Sequence, residues 1–129
     1  MTKRIIAVLL AAALTLSVPA LAADGFTDVP VGAWYADAVR YVREHGLMSG
    51  TGPDTFSPNL PVSRAMLVTV LWRQAGAPSP SASSGFRDTA ADAWYAAGLS
   101  WAVEHGIIAG YGDGSFGPDD PVSREQLAV

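Results

Sequence analysis

Residues 24–69 align with residues 84–129 without a gap, and 19 of the 46 paired positions are identical. The matches run through the whole unit: Phe26/Phe86, Asp28/Asp88, Trp34/Trp94, Tyr35/Tyr95, Glu44/Glu104, His45/His105, Gly46/Gly106, Phe56/Phe116, and Pro-Val-Ser-Arg at 61–64 and again at 121–124. This is a tandem duplication. A repeat of this size does not bury its apolar face alone and needs a neighbour, with three or more units the common minimum. Repeat one is taken as 24–76, a Pro/Ser/Ala connection as 77–84, and repeat two as 85–129. That connection has no large apolar residue and reads as solvated. Repeat two stops before any counterpart of Val70–Gly76, so it is expected to be incomplete and the natural protein to run on.

The first 23 residues differ in kind. Lys3 and Arg4 precede an apolar run, Ile5–Val18, which ends in Ala20-Leu21-Ala22. A basic start, a short apolar stretch and an Ala-x-Ala end describe a secretory signal peptide, expected at 1–23. The run is shorter than the roughly 20 residues of a membrane span, so no membrane association is expected after cleavage. There is no Cys, hence no lipid-anchored cysteine and no disulfide.

Charge narrows the partners. The whole chain carries 8 basic and 12 acidic residues, a net of −4. Loss of Lys3 and Arg4 leaves 6 basic against 12 acidic, a net of −6. The remaining cations are all Arg: Arg40, Arg43, Arg64, Arg73, Arg87 and Arg124. Nucleic acid and anionic membranes reward clustered basic residues, so neither is an expected partner. Arg suits local, directional recognition of carboxylates.

Within one unit, Tyr35, Ala38, Val39 and Val42 recur at helical spacing between Trp34 and His45. Gly46 is placed to end that helix in the left-handed conformation. A Gly/Pro/Asp-rich loop follows, with Phe56 or Phe116 expected to plug it into the core. A second helix is predicted from Arg64 to about Ala75, with Leu67, Val70, Leu71 and Gln74 facing the core. The fold class is therefore all-α, built of helix-loop-helix repeats.

Ser63 fits the N-cap of that second helix. Arg64, the first helical residue, then opposes the helix dipole, an unfavourable term of roughly 0.3–1 kcal/mol. The same conflict recurs at Ser123-Arg124. An anion at that point would meet free N–H groups, the positive helix end and a guanidinium. Internal pairing of Arg64 and Arg124 with acids such as Asp54 or Asp119 answers the conflict equally well.

Taken in order, the motifs resemble the S-layer homology repeat: Phe26-x-Asp28-Val29, Ala33-Trp34-Tyr35, Gly46-Leu47-Met48-x-Gly50, Phe56-x-Pro58 and Val62-Ser63-Arg64, and then Phe86-x-Asp88, Ala93-Trp94-Tyr95, Gly106-Ile107-Ile108-x-Gly110, Phe116-x-Pro118 and Val122-Ser123-Arg124. The resemblance implies an exported protein of the bacterial cell wall or S-layer. It implies non-covalent anchoring to secondary cell-wall polysaccharide, often pyruvylated, with three repeats forming one pseudo-threefold unit. Ser63, Arg64, Ser123 and Arg124 would contact the glycan carboxylate. The Glu of the family's Thr-Arg-Ala-Glu motif is Met66 in repeat one and Gln126 in repeat two. Gln completes a capping box and Met does not, so repeat one's site is expected to be the weaker. A third repeat or self-association would complete the unit.

Other readings stay open. Trp34, Trp72, Trp94 and Trp101 are expected in the core, with sugar stacking by Trp34 and Trp94 as the alternative. His45 and His105 sit at helix C-termini, where a cation is favoured; no metal site and no cofactor is expected. Asp113-Gly114-Ser115 lacks calcium-loop spacing and reads as a turn. No catalytic residue is assigned, since neither a nucleophile elbow nor a recognisable carboxylate pair is present. A structural or self-assembly module, or less readily a wall-active glycoside hydrolase, remains the alternative to an anchor.

Overall fold

The computed structural model describes residues 25–129; the expected signal peptide lies outside the described residues. Among the described residues four helices follow one another: α1 (Ala36–Glu44), α2 (Arg64–Gln74), α3 (Ala96–Glu104) and α4 (Arg124–Ala128). Each repeat is a helix, a long loop and a second helix. An isolated antiparallel bridge joins Ser63 to Pro121.

The predicted helix ends are the observed ones. Gly46 and Gly106 both take φ 66°. Behind them Leu47 N–H donates to Val42 O at 2.8 Å and Ile107 N–H to Ala102 O at 2.9 Å, the six-to-one bond that closes a helix on a left-handed residue. Each His reinforces the same end. The Nδ1 atoms of His45 and His105 lie 2.8 Å from Tyr41 O and Trp101 O, so each ring donates to a last-turn carbonyl. Ser63 caps α2 by accepting from Met66 N–H at 3.2 Å. At α4, Ser123 and Gln126 form the full capping box.

The described residues form two core clusters, and they are not equivalent. The first belongs to repeat one: Phe26, Val29, Ala36 and Val39, with Phe56 against them. The second is Val68, Leu99, Trp101, Ala102 and Phe116, with Leu71, Trp72 and Phe86 against it. Val68, Leu71 and Trp72 come from α2 of repeat one and the others from repeat two, so this core is shared. Side chains like Val68, Leu99 and Phe116, buried to 0% exposure, contribute about 1.5–3 kcal/mol each. This is why one unit needs its neighbour.

The shared core corrects the predicted face of α2. The buried residues are Arg64, Ala65, Val68 and Thr69; of the predicted face, Leu71 packs half-buried against the shared core, whereas Leu67 and Val70 are half-buried outside that cluster and Gln74 is exposed. The turn is set by α3, which packs on the 65/68/69 side and comes close because Gly98 has no side chain. A Cβ at Gly98 would stand 3.2 Å from Thr69 Cα and from Val68 O. Repeat one carries Ala38 at the equivalent place, and it is exposed.

The connection between repeats is strapped down although mostly exposed. Glu104 Oε1 accepts from Ser81 and Ala82 N–H at 2.6 and 2.8 Å. Ser84 N–H donates to Ser100 Oγ at 3.1 Å, and Trp72 Nε1–H to Pro78 O at 2.8 Å. Backbone groups with no regular partner are thereby satisfied by α3 and α2.

Candidate functional site

In each repeat the long loop is pinned by one carboxylate. Asp28 accepts from Phe56 N–H at 2.8 Å and Ser57 N–H at 2.7 Å. Asp88 accepts from Phe116 N–H and Gly117 N–H, both at 2.8 Å. The Phe56 amide, with Ser57 behind it, holds the Asp28 carboxyl below its usual value of 3.8 against partial desolvation. The Phe116 and Gly117 amides do the same for Asp88. Both shifts favour the ionised form in the folded state. The stability they supply is present above the unfolded carboxyl value and lost as pH falls through the lowered one. Thermal melts from pH 7 downward are therefore expected to hold level until about pH 4 to 5 and then fall. The Asp28→Asn/Asp88→Asn double variant should melt lower at pH 7 and show a shallower acid limb. An acid limb as steep as the parent's would contradict this role. The repeated Phe-x-Asp marks these residues in the sequence, but a partner 28 residues downstream is invisible to local pattern.

Loop two, 107–117, receives Arg64. The guanidinium donates from Nε to Phe116 O and from Nη2 to Ala109 O, both at 2.8 Å. Its Cζ lies 4.8 Å from the Tyr111 ring centre and 4.7 Å from that of Phe116. Tyr111 is fixed in turn by its hydroxyl, which donates to Asp120 Oδ2 at 2.8 Å. Arg64 is only 8% exposed.

The backbone around it is joined in the same way. Arg64 N–H donates to Asp120 O and Ala65 N–H to Pro118 O, each at 2.9 Å, while Val122 N–H returns a bond to Val62 O at 2.9 Å. Met66 N–H already bonds Ser63 Oγ. The expected open anion site at the start of α2 is thus corrected. Its first three amides and two guanidinium nitrogens are engaged inside the protein, by carbonyls and a hydroxyl rather than by Asp54 or Asp119. Ser63 and Arg64 form the joint between the repeats.

Ser123 and Arg124 repeat the sequence but not the surroundings. Both are exposed. Among the described residues, no partner is found for the Arg124 guanidinium or for the Arg124 and Glu125 amides. The exposed pair is therefore the second one.

The tryptophans divide. Trp101, 8% exposed, is in the shared core, but Trp34 is 94% and Trp94 62% exposed. The core expectation fails for these two because they lie just before α1 and α3, outside the packed faces. Each stands edge-on to the next Tyr, with ring centres 5.5 Å and 5.2 Å apart. Trp94 also borders a cleft of about 580 Å³ walled by loop one, residues 47–62, and by α2; Trp34 does not. Asp113 closes a local turn, accepting from Ser115 N–H at 2.9 Å, and pairs with Arg87 at 2.6 Å.

The chain is similar to proteins of bacterial surfaces. It is 32% identical over 104 residues to an endoglucanase of Bacillus sp. (strain KSM-635), covering 81% of this chain and 11% of that one. It is 31% identical over 132 residues to a cell surface protein of Thermoanaerobacter kivui, covering 96% and 17%. With the S-layer protein sap of Bacillus anthracis it shares 29% over 130 residues, covering 98% and 16%. The chain thus spans less than a fifth of each of these relatives, and the endoglucanase shares only this repeat region. The family model for the S-layer homology domain matches residues 25–65 and 85–128, one match per repeat. With both repeats matched and nearly the whole chain aligned to surface proteins, the chain belongs to the S-layer homology domain family of exported, cell-surface proteins.

Proposed function

We propose that the chain is a non-covalent cell-wall anchor that binds secondary cell-wall polysaccharide, with the carboxylate of a pyruvylated sugar at Ser123 and Arg124. One observation carries the reading. The same segment of about a hundred residues recurs in an endoglucanase and in S-layer proteins. A segment common to proteins so different in name is better suited to attachment than to one reaction, so no catalytic role is assigned to it. Arg124 supports the finer assignment because it is exposed beside a capped helix start. Arg64 holds the repeats together and so positions that surface. Trp94, on the lip of its cleft, offers a flat apolar face to a sugar ring, and Trp34 a similar one without the cleft. Single sites of this kind are weak and gain by linkage to others.

Co-sedimentation with purified walls tests this, before and after mild acid removes ketal pyruvate. Arg124→Ala is expected to weaken binding by at least about tenfold, the loss of one charge-assisted contact. Acid-treated walls should bind the parent protein no better than untreated walls bind Arg124→Ala. Full binding by a folded Arg124→Ala protein would sink the assignment, and sugar released from the walls would favour the hydrolase. The internal joint at Arg64 favours a second reading, a structural or self-assembly module with no glycan binding of its own.

A further inference from the structure

The connection between the repeats is held through its backbone. Pro78 O accepts from the Trp72 indole, Ser81 and Ala82 N–H donate to Glu104, and Ser84 N–H donates to Ser100 Oγ. None of these bonds needs a hydroxyl on the connection. Four of the six residues 79–84 are nevertheless Ser, and among the described residues none of their hydroxyls has a hydrogen-bond partner. Ser79, Ser81 and Ser83 are exposed, and Ser84 is half-buried. Ser79 precedes Pro80, which biases it to an extended backbone. Ser81 and Ser83 border a cleft of about 450 Å³ that Thr89, Ala91, Ala97 and Ser100 also line. Ser100 is 6% exposed. Its hydroxyl accepts from Ser84 N–H, and its own proton has no acceptor among the described residues.

We propose that this connection is a site of O-glycosylation, with neutral hexoses carried by Ser79, Ser81 and Ser83. Serine interspersed with proline is the composition of O-glycosylated stalks, and here the hydroxyls are presented on a backbone that is already held. A phosphate does not suit the place, because Glu104 lies against the Ser81 amide and would repel a second anion. A neutral sugar adds no charge. Its ring has room in the cleft, and one of its oxygens can accept the spare Ser100 proton. N-linkage is not the alternative, since Asn59 is the chain's one Asn and Leu60-Pro61 follows it. The donor is a sugar joined through phosphate to a polyprenyl lipid. The serine Oγ attacks the anomeric carbon, and the bond from that carbon to the phosphate oxygen breaks. The serine proton passes to a basic group of the transferase, and the lipid phosphate leaves with the bonding electrons. The sugars would shield a small-residue connection of the kind that proteases cut first.

Trypsin cuts after Arg73 and Arg87 and so isolates the connection as the peptide 74–87. The protein is taken from the cells that export it and purified under denaturing conditions. The peptide is then expected to exceed its amino-acid mass by whole hexose steps. Mild alkali should remove the excess and leave dehydroalanine at each serine that carried a sugar. The Ser79→Ala/Ser81→Ala/Ser83→Ala variant should lose the excess and melt with the parent, since all three positions are exposed. Its connection should also be cut sooner by a protease specific for small residues. A peptide 74–87 at its bare amino-acid mass overturns the proposal. So does an excess that comes in phosphate steps, or one that the triple variant keeps. The proposal does not rest on the anchoring reading: a wall glycan held non-covalently is lost on denaturation, whereas a linked sugar stays.

Discussion

Arg64→Ala is expected to lower the stability of the protein by about 3 kcal/mol at neutral pH, from two charge-assisted hydrogen bonds and a stacked guanidinium. For a domain of this size that is a fall in melting temperature of more than about 10 °C. The cost is high because Arg64 is the buried member of its pair. Its removal leaves the Phe116 and Ala109 carbonyls without their donor and uncovers Tyr111 and Phe116. Arg64→Lys should recover little, since an ammonium has neither the planar fork that reaches both carbonyls nor the flat face that stacks. Arg124→Ala, at an exposed position without a partner among the described residues, should change stability by less than about 0.5 kcal/mol. Urea unfolding of the three variants beside the parent makes the comparison. Equal losses at Arg64 and Arg124 would mean that the joint does not hold the repeats together.

Phe116→Ala should be the most damaging single change, about 3–5 kcal/mol. Phe116 is 0% exposed. Its ring stacks on Phe86 with centres 5.6 Å apart and carries Arg64 on its other contacts. Its amide is held by Asp88 and its carbonyl by Arg64. Truncation therefore opens a cavity in the shared core and loosens the loop that receives repeat one. Phe56 is the natural control. It has the same place in repeat one and the equivalent carboxylate, Asp28, on its amide, but it is only partly buried and carries no Arg contact among the described residues. Phe56→Ala should cost clearly less, and thermal melts of the two variants would show whether the neighbouring repeat accounts for the difference.

Much of the fold was legible because its causes are local. Ser63 and Ser123 as caps, Gly46 and Gly106 as helix ends, and the turn at Asp113 depend on residues within a few positions of each other. Their consequences appear in the structure where the spacing put them. The acidic pins were legible only as a repeated letter. Asp28 and Asp88 reach across 28 residues, and no periodicity encodes that distance. The face of α2 was misplaced for a related reason. Helical spacing identifies an apolar stripe, but α3 of the other repeat decides which side of that stripe is covered.

The exposed tryptophans show the same limit from the opposite side. An aromatic near a helix is ordinarily core, and Trp101 obeys. Trp34 and Trp94 sit at the approach to α1 and α3, where neither core cluster reaches them.

The sequence by itself determined that this is a duplicated all-α unit, where the first helix of each unit ends and the second begins, and that each unit offers a Ser-Arg pair at a helix start. It could not separate the two pairs, because Pro-Val-Ser-Arg is the same string both times. Only the tertiary structure decided that Arg64 is buried in the loop of the next repeat while Arg124 faces outward. A side chain's partners are set by what packs against it, and here the same four residues meet a neighbouring loop in one copy and none among the described residues in the other.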